Sequence, residues 1–172
     1  TVGKDRRLVE AVKAGDAATA TALLQKGVDV NVAEPDGTTP LHWAIRHDDL
    51  TLVDRLLRAG ADAKAANRYG VTPISLACEN GSAAAVDRLL KAGVSPNATG
   101  PLGETALMTC ARSGKVEAAT ALLRAGASID AVESWRGQTA LMWAAAQGHP
   151  AMVAALLEAD RKSTRLNSSH VS

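Results

Sequence analysis

The stretch "GTTPLHWAIRHDD", residues 37–49, decides the fold of this chain. Thr39 is placed to cap a helix, and Pro40 occupies its first turn, where a missing N–H leaves no hydrogen bond unmade. Ala44 allows a neighbouring helix to approach closely, and a turn around Asp48 leads into a second helix. The stretch therefore predicts the start of a helix–turn–helix unit.

The second predicted helix has one apolar face and ends at a glycine. Leu52, Val53, Leu56 and Leu57 share that face at helical spacing. Gly60 supplies the left-handed conformation of a C-terminal cap. Helices shorter than about ten residues are not stable alone in water. Neighbouring units must therefore cover their apolar faces.

The unit recurs along nearly the whole chain. Each step is 33 residues, except for one step of 34. The repeating columns are the leucine pairs at 23–24, 56–57, 89–90, 122–123 and 156–157 and the glycines at 27, 60, 93 and 126 and at 37, 70, 103 and 137. Several aligned columns at one period identify a repeat protein.

Two motifs in these units resemble a known family. "TPLHWA", residues 39–44, matches the T-P-L-H-x-A signature of ankyrin repeats, whose period is about 33 residues. "GVDVN", residues 27–31, is similar to the ending of that repeat. The resemblance covers about residues 4–159. It implies an all-α solenoid of stacked helix–turn–helix units with β-hairpin-like finger loops along one edge.

The period divides the chain into one repeat domain and a tail. The domain is predicted over residues 1–159, with units at about 4–33, 34–66, 67–99, 100–133 and 134–159. The first unit lacks the Gly-Thr turn and has charged residues around an apolar stripe, as an N-terminal cap requires.

The repeat pattern stops at Asp160, where the period predicts a glycine. The segment "DRKSTRLNSSH", residues 160–170, resembles the in-frame translation of a sequencing adapter. We therefore expect residues 160–172 to be non-native and disordered. The last unit carries no polar cap, and we expect the natural protein to continue with more repeats.

Composition excludes several kinds of partner. The chain is 47% hydrophobic, only 2% aromatic, and has a formal net charge of +1. Nucleic-acid binding would require a basic stripe or stacking aromatics. The column of Gln25, Arg58, Lys91 and Arg124 beside the leucine pairs carries three charges and is interpreted as a solvated outer face. The chain has no apolar run of membrane-spanning length. The compartment is left open, because Thr1 is not an initiator Met. The phrasing "LMWAAAQGH" resembles bacterial ankyrin proteins, and export remains an alternative if a signal peptide precedes Thr1.

No catalytic, cofactor-binding or metal-binding motif is present. His42 is the fourth letter of the signature, and the resemblance implies that it bonds within the turn network. His47 and His149 are interpreted as surface or helix-start residues. The sequon at Asn97 falls on the repeat ending, so we interpret it as a by-product of the repeat.

Cys78 and Cys110 are predicted to be small buried hydrophobes. A disulfide requires Cα atoms within about 7 Å, whereas stacked helices lie about 8–10 Å apart. We therefore expect no disulfide.

Recognition in ankyrin proteins is carried by variable residues of the fingers and inner helices. By this resemblance, the predicted binding residues lie along one concave, solvent-facing edge. The finger set is Pro35, Asp36, Arg68, Tyr69, Pro101, Leu102, Trp135 and Arg136, and the inner-helix set is Arg46, His47, Glu79, Asn80, Arg112, Ser113 and Gln147.

One finger is longer than the others. The segment "GASIDAVESWRG", residues 126–137, contains the extra residue that produces the step of 34. Trp and Arg are frequent interface hot spots, so Trp135 and Arg136 are candidate anchors. Trp135 has two interpretations, an exposed anchor or a side chain packed on the next finger. Trp43 and Trp143 are predicted to line the core or a groove.

The sequence thus predicts a non-catalytic protein–protein interaction scaffold that binds a protein partner and acts as a monomer. Two alternatives share this fold. The chain could be an inhibitor or regulatory subunit of an enzyme, or the recruiting segment of a larger, truncated enzyme.

Overall fold

The computed structural model describes residues 5–169. Residues 1–4 and 170–172 lie outside this range, and with them the predicted start of the first unit and the end of the tail. The described chain folds into ten helices: α1 Arg7–Lys13, α2 Ala17–Gln25, α3 Pro40–Arg46, α4 Leu50–Arg58, α5 Pro73–Asn80, α6 Ala83–Lys91, α7 Ala106–Ser113, α8 Val116–Arg124, α9 Ala140–Ala146 and α10 Pro150–Ser168.

The helices form two layers. The odd-numbered helices contact one another in chain order and make the inner layer, and the even-numbered helices form the outer layer in the same way. Each inner helix also packs on the outer helix that follows it. This stacking of helix pairs confirms the predicted all-α solenoid.

The inner helices start where the threonine column predicts. The Thr39 side chain accepts a hydrogen bond from the His42 N–H and caps α3, with Pro40 in the first turn. His42 is buried; its Nδ1 lies 2.8 Å from Thr39 Oγ1 and its Nε2 lies 2.9 Å from the carbonyl oxygen of Val71 in the next unit. Burial lowers the pKa of His42, so the ring is neutral at pH 7. The predicted structural role of His42 is confirmed.

The two leucines of each pair differ in burial. The first leucine of every pair is buried, including Leu56, Leu89 and Leu122 at 0% exposure. The second leucine is half-buried in four units and exposed at Leu157. One continuous core runs through all five units along the first column.

Asparagines of the repeat ending tie successive units together. The Asn97 side chain donates to the Gly126 carbonyl oxygen at 3.1 Å and accepts from the Ser128 N–H at 2.7 Å. Asn31 makes the equivalent bonds to Gly60 and Asp62. Both ends of the Asn97 amide are therefore occupied by the repeat, as the interpretation of its sequon requires.

The expectation for the cysteines is wrong. Cys78 of α5 and Cys110 of α7 form a disulfide, with their Cα atoms 4.6 Å apart. The sequence argument used the distance between helix axes. Each Cα lies about 2.3 Å off its axis, so facing Cα atoms of helices about 8–10 Å apart approach to disulfide range. The disulfide is fully buried and joins the third unit to the fourth.

The tail also differs from its expected disorder. Residues 160–168 continue α10 as an exposed helix. No left-handed glycine ends this helix, because Asp160 stands where Gly27, Gly60, Gly93 and Gly126 end the other outer helices. Glu158 pairs with Arg161 at 2.7 Å and with Lys162 at 3.6 Å, which supports the extension.

Candidate functional site

Four finger loops connect the units, and each is closed by a backbone hydrogen bond. The first three span residues 34–38, 67–71 and 100–104, closed by N–H to carbonyl bonds between their end residues. The fourth spans residues 133–138 and is one residue longer, as the sequence predicts. The fingers are turns without paired strands in the described residues, apart from an isolated antiparallel bridge between Thr99 and Thr105.

A polar side chain inside each finger holds its backbone. Asp36 accepts from the Thr38 N–H, and Glu104 accepts from the Leu102 N–H, both at 2.9 Å. Asn67 accepts from the N–H groups of Tyr69 and Val71 at 3.0 Å. These bonds shape the fingers without help from a partner.

Glu133 holds the longer fourth finger. The residue is 3% exposed, and its carboxylate accepts N–H bonds from Trp135 at 2.6 Å and from Arg136 and Gln138 at 3.0 Å. The bond from Gln138, followed by those from Arg136 and Trp135, lowers the pKa of Glu133 against the opposing effect of burial. A charged carboxylate inside the loop thus fixes the finger that presents Trp135.

Three successive fingers expose a large apolar side chain. Tyr69 is 73%, Leu102 57% and Trp135 70% exposed. The guanidinium of Arg136 lies 4.1 Å from the centroid of the Trp135 ring. Trp135 is therefore exposed and in contact with its own neighbour in the chain, so it is not a packed core side chain.

The fingers are joined in pairs. The Arg68 N–H donates to the Asp36 carbonyl oxygen at 2.7 Å, and the Ser134 N–H donates to that of Leu102 at 2.8 Å. The residue at the corresponding position between the second and third fingers is Pro101, which has no N–H to donate. Its ring instead packs on Gly70, where an added Cβ would lie 2.8 Å from the Pro101 ring.

A groove opens on the concave side of this unbonded junction. It has a volume of about 280 Å³ and is lined by Tyr69, Glu79, Met108, Arg112 and Trp143, among others. The groove lies between the second and third fingers and the inner helices behind them. Tyr69, exposed on the second finger, forms part of its lining.

The predicted inner-helix residues have different roles. The His47 Nε2 lies 3.1 Å from the Lys13 carbonyl oxygen, and the Asn80 amide donates to that of Ile45 at 2.7 Å. These two side chains bridge neighbouring inner helices. Arg112 pairs with Glu79 at 3.5 Å across α5 and α7.

The remaining predicted residues divide by exposure. Arg46 and Gln147 are exposed on the inner helices, and Ser113 is half-buried. On the fingers, the half-buried Asp36 is committed to its own loop, and the exposed Arg68 donates to the Pro35 carbonyl oxygen at 3.1 Å.

A profile of the family described as ankyrin repeats (3 copies) matches residues 8–100 and 84–167. The chain belongs to the ankyrin repeat family. Ankyrin repeats generally mediate protein–protein interaction, and their all-helical fold is typically non-catalytic. No curated protein is significantly similar to this ankyrin repeat chain.

Two geometric findings concern other kinds of site on the ankyrin domain. No helix among residues 5–169 combines the length and apolar character that crossing a bilayer demands. Within the same range, no group of three or more His, Cys, Asp or Glu side chains is arranged to hold a metal ion.

Sequence reasoning missed the polar residues that organise the ankyrin surface. Glu34 accepts from the Trp43 indole N–H at 2.8 Å and pairs with Lys13 at 2.7 Å. Glu133 takes the first position of the fourth finger, as Glu34 does in the first. The repeat register places both glutamates in one column, but it does not indicate which hydrogen-bond partners each carboxylate takes.

Acidification should release the fourth finger of the ankyrin domain. The folded pKa of Glu133 is lowered, so its stabilising effect is complete above the unfolded value of about 4.3 and is lost as the pH falls through the folded value. The backbone amide NMR signals of Trp135, Arg136 and Gln138 should shift together with a midpoint below that of an ordinary glutamate. In the Glu133→Gln variant this common titration should disappear, and its persistence would assign it to another carboxylate.

Proposed function

We propose that this ankyrin repeat domain is a non-catalytic scaffold that binds a protein partner, as a monomer, through its fingers and concave helix face. The observation that carries the proposal is the row of three exposed apolar side chains, Tyr69, Leu102 and Trp135, on successive fingers. Exposed aromatic and aliphatic side chains close together are typical of interaction surfaces.

The rigidity of the fingers supports the same function. Asn67, Glu104 and Glu133 each fix a loop that carries one of these side chains. A surface that is ordered before binding loses less conformational entropy when the partner docks. The exposed residues therefore form a prepared surface.

Charges around the row favour a protein partner. Arg68 and Arg136 flank the exposed rings, whereas Glu79 and Arg112 face the groove on the inner helices. Aromatic residues and Arg are enriched in protein interfaces, and charges of both signs can complement those of a protein partner. The proposed contact surface thus combines the apolar finger row with Arg46, Arg68, Glu79, Arg112, Arg136 and Gln147.

Replacing the finger row tests this function. We expect the triple variant Tyr69→Ser, Leu102→Ser, Trp135→Ala to lose partners that the unaltered domain retains in affinity capture followed by mass spectrometry. For a captured partner, Trp135→Ala alone should weaken binding by about 30-fold or more, the loss at a typical hot spot. The thermal unfolding midpoint should stay nearly unchanged, because Trp135 is 70% exposed.

The matched control is Leu157→Ser, which removes an exposed leucine, 51% exposed, from α10. This variant should retain the same partners as the unaltered domain. Equal capture by the triple variant and the control would contradict binding through the fingers. A large loss of stability in Trp135→Ala would show that the residue is part of the core.

A further inference from the structure

The second unit contains a carboxylate held between a tryptophan and a cation. The Glu34 carboxylate accepts from Trp43 Nε1 at 2.8 Å and pairs with Lys13 Nζ at 2.7 Å. The same ammonium lies 5.0 Å from the centroid of the Trp43 ring. Indole N–H, cation and carboxylate together form a complete, internally satisfied site.

The fifth unit repeats two of these three groups. Trp143 occupies the position of Trp43 in its inner helix, and Arg112 occupies the position of Lys13 in the preceding inner helix. The Arg112 guanidinium lies 5.5 Å from the centroid of the Trp143 ring. The tryptophan–cation pair is therefore rebuilt three units further along.

The third group, the carboxylate, has other partners in the fifth unit. Glu133 begins the fourth finger as Glu34 begins the first, but its carboxylate is committed to the N–H groups of its own loop. The Trp143 indole N–H is buried and has no hydrogen-bond partner among the described residues. A buried donor without a partner keeps the full desolvation penalty of its N–H, so this position favours an acceptor.

We propose that Trp143 and Arg112 bind the carboxylate of a glutamate or aspartate side chain on the protein partner. The inference rests on the proposed function and names the chemistry of one contact within it. Both residues line the 280 Å³ groove beside Tyr69, which has room for an incoming side chain. The ligand takes the place that Glu34 holds in the second unit.

The incoming carboxylate competes with one internal group. Glu79 reaches Arg112 with a single contact of 3.5 Å, and both side chains are exposed. Short charge-assisted bonds are stronger than such a long one. A short bond from the ligand to Arg112 therefore displaces Glu79, and the unpartnered indole N–H supplies the second donor.

The experiment follows the three indole N–H signals of ¹⁵N-labelled protein by NMR, assigned with Trp→Phe variants. The probe is a tripeptide blocked at both ends, acetyl-Ala-Glu-Ala-amide, with acetyl-Ala-Gln-Ala-amide as its matched control. We expect the glutamate peptide to shift the Trp143 signal in a saturable manner and the glutamine peptide to leave it in place. The Trp43 signal should not respond, because Glu34 already occupies that donor.

Two variants test the comparison between the units. Arg112→Gln should weaken the response of Trp143 by about tenfold or more, since a charge-assisted bond is lost. Glu34→Ala should vacate the internal site, so that the Trp43 signal now responds to the glutamate peptide. Glu79→Gln should tighten binding at Trp143 by removing the competitor.

The possible outcomes separate this inference from the proposed function. A silent Trp143 signal, or equal shifts with both peptides, would overturn the carboxylate site even if the finger variants lose their partners. A stronger response to acetyl-Ala-Ala-Ala with a free C-terminus would overturn the assignment to a side chain. Failure of the finger variants alone would overturn the proposed function and leave the peptide titration unaffected.

Discussion

Reduction of the Cys78–Cys110 disulfide is expected to destabilise the domain by about 3–4 kcal/mol, the loop-closure value for a chain separation of 32 residues. For a domain of this size, that free energy corresponds to a drop of roughly 10 °C in the unfolding midpoint. The disulfide joins α5 to α7 in the middle of the stack, so its loss should weaken the contact between the two halves. Thermal unfolding followed by circular dichroism, with and without dithiothreitol, measures the effect.

The matched control is the double variant Cys78→Ala, Cys110→Ala. Its midpoint should lie near that of the reduced protein and should not change with reductant. Mass spectrometry of alkylated protein under denaturing conditions should find two blocked thiols only after reduction. Two free thiols in the protein before reduction would show that the helices pack without this bond.

The Leu89→Ala variant is expected to lose about 2–5 kcal/mol of its free energy of unfolding, as when other leucines are truncated in a packed core. Leu89 is 0% exposed and lies in α6, in the central unit. A cavity there weakens contacts with the units on both sides. Stability in repeat proteins depends on such nearest-neighbour contacts, so the unfolding transition should broaden or divide as well as move.

Leu90→Ala is the control for that variant. Leu90 is the half-buried member of the same pair, so its truncation should cost clearly less than that of Leu89. Urea unfolding monitored by circular dichroism compares the two. Equal losses would contradict the division of the leucine pairs into buried and partly buried columns.

The sequence predicts the fold well because each repeat column performs one local task. Thr39 caps a helix, Gly60 ends one, and Leu56 fills the core. Each task depends on residues within a few positions of each other, and the same local structure then recurs at every period. The longer fourth finger followed from counting residues between Gly126 and Gly137.

The disulfide, the helical tail and the hydrogen-bond partners of the Glu34 and Glu133 carboxylates could not be predicted without coordinates. The distance between Cys78 and Cys110 depends on how closely two helices approach, which the period does not fix. Glu34 and Glu133 share a column, yet one carboxylate turns to a tryptophan and the other into its own loop. The fourth finger has one inserted residue. Which N–H groups lie within reach of its Glu133 carboxylate depends on the folded loop and not on the repeat pattern.

Pro101 divides the row of four fingers into two pairs. Because Pro101 cannot donate to the second finger, the edge consists of two hydrogen-bonded halves, with the disulfide fixing the helices beneath their boundary. Tilting at that boundary would break no backbone hydrogen bond between fingers. The finger edge therefore has a point at which its curvature is not fixed by backbone bonding, while the covalent bond between the helices below it holds their spacing.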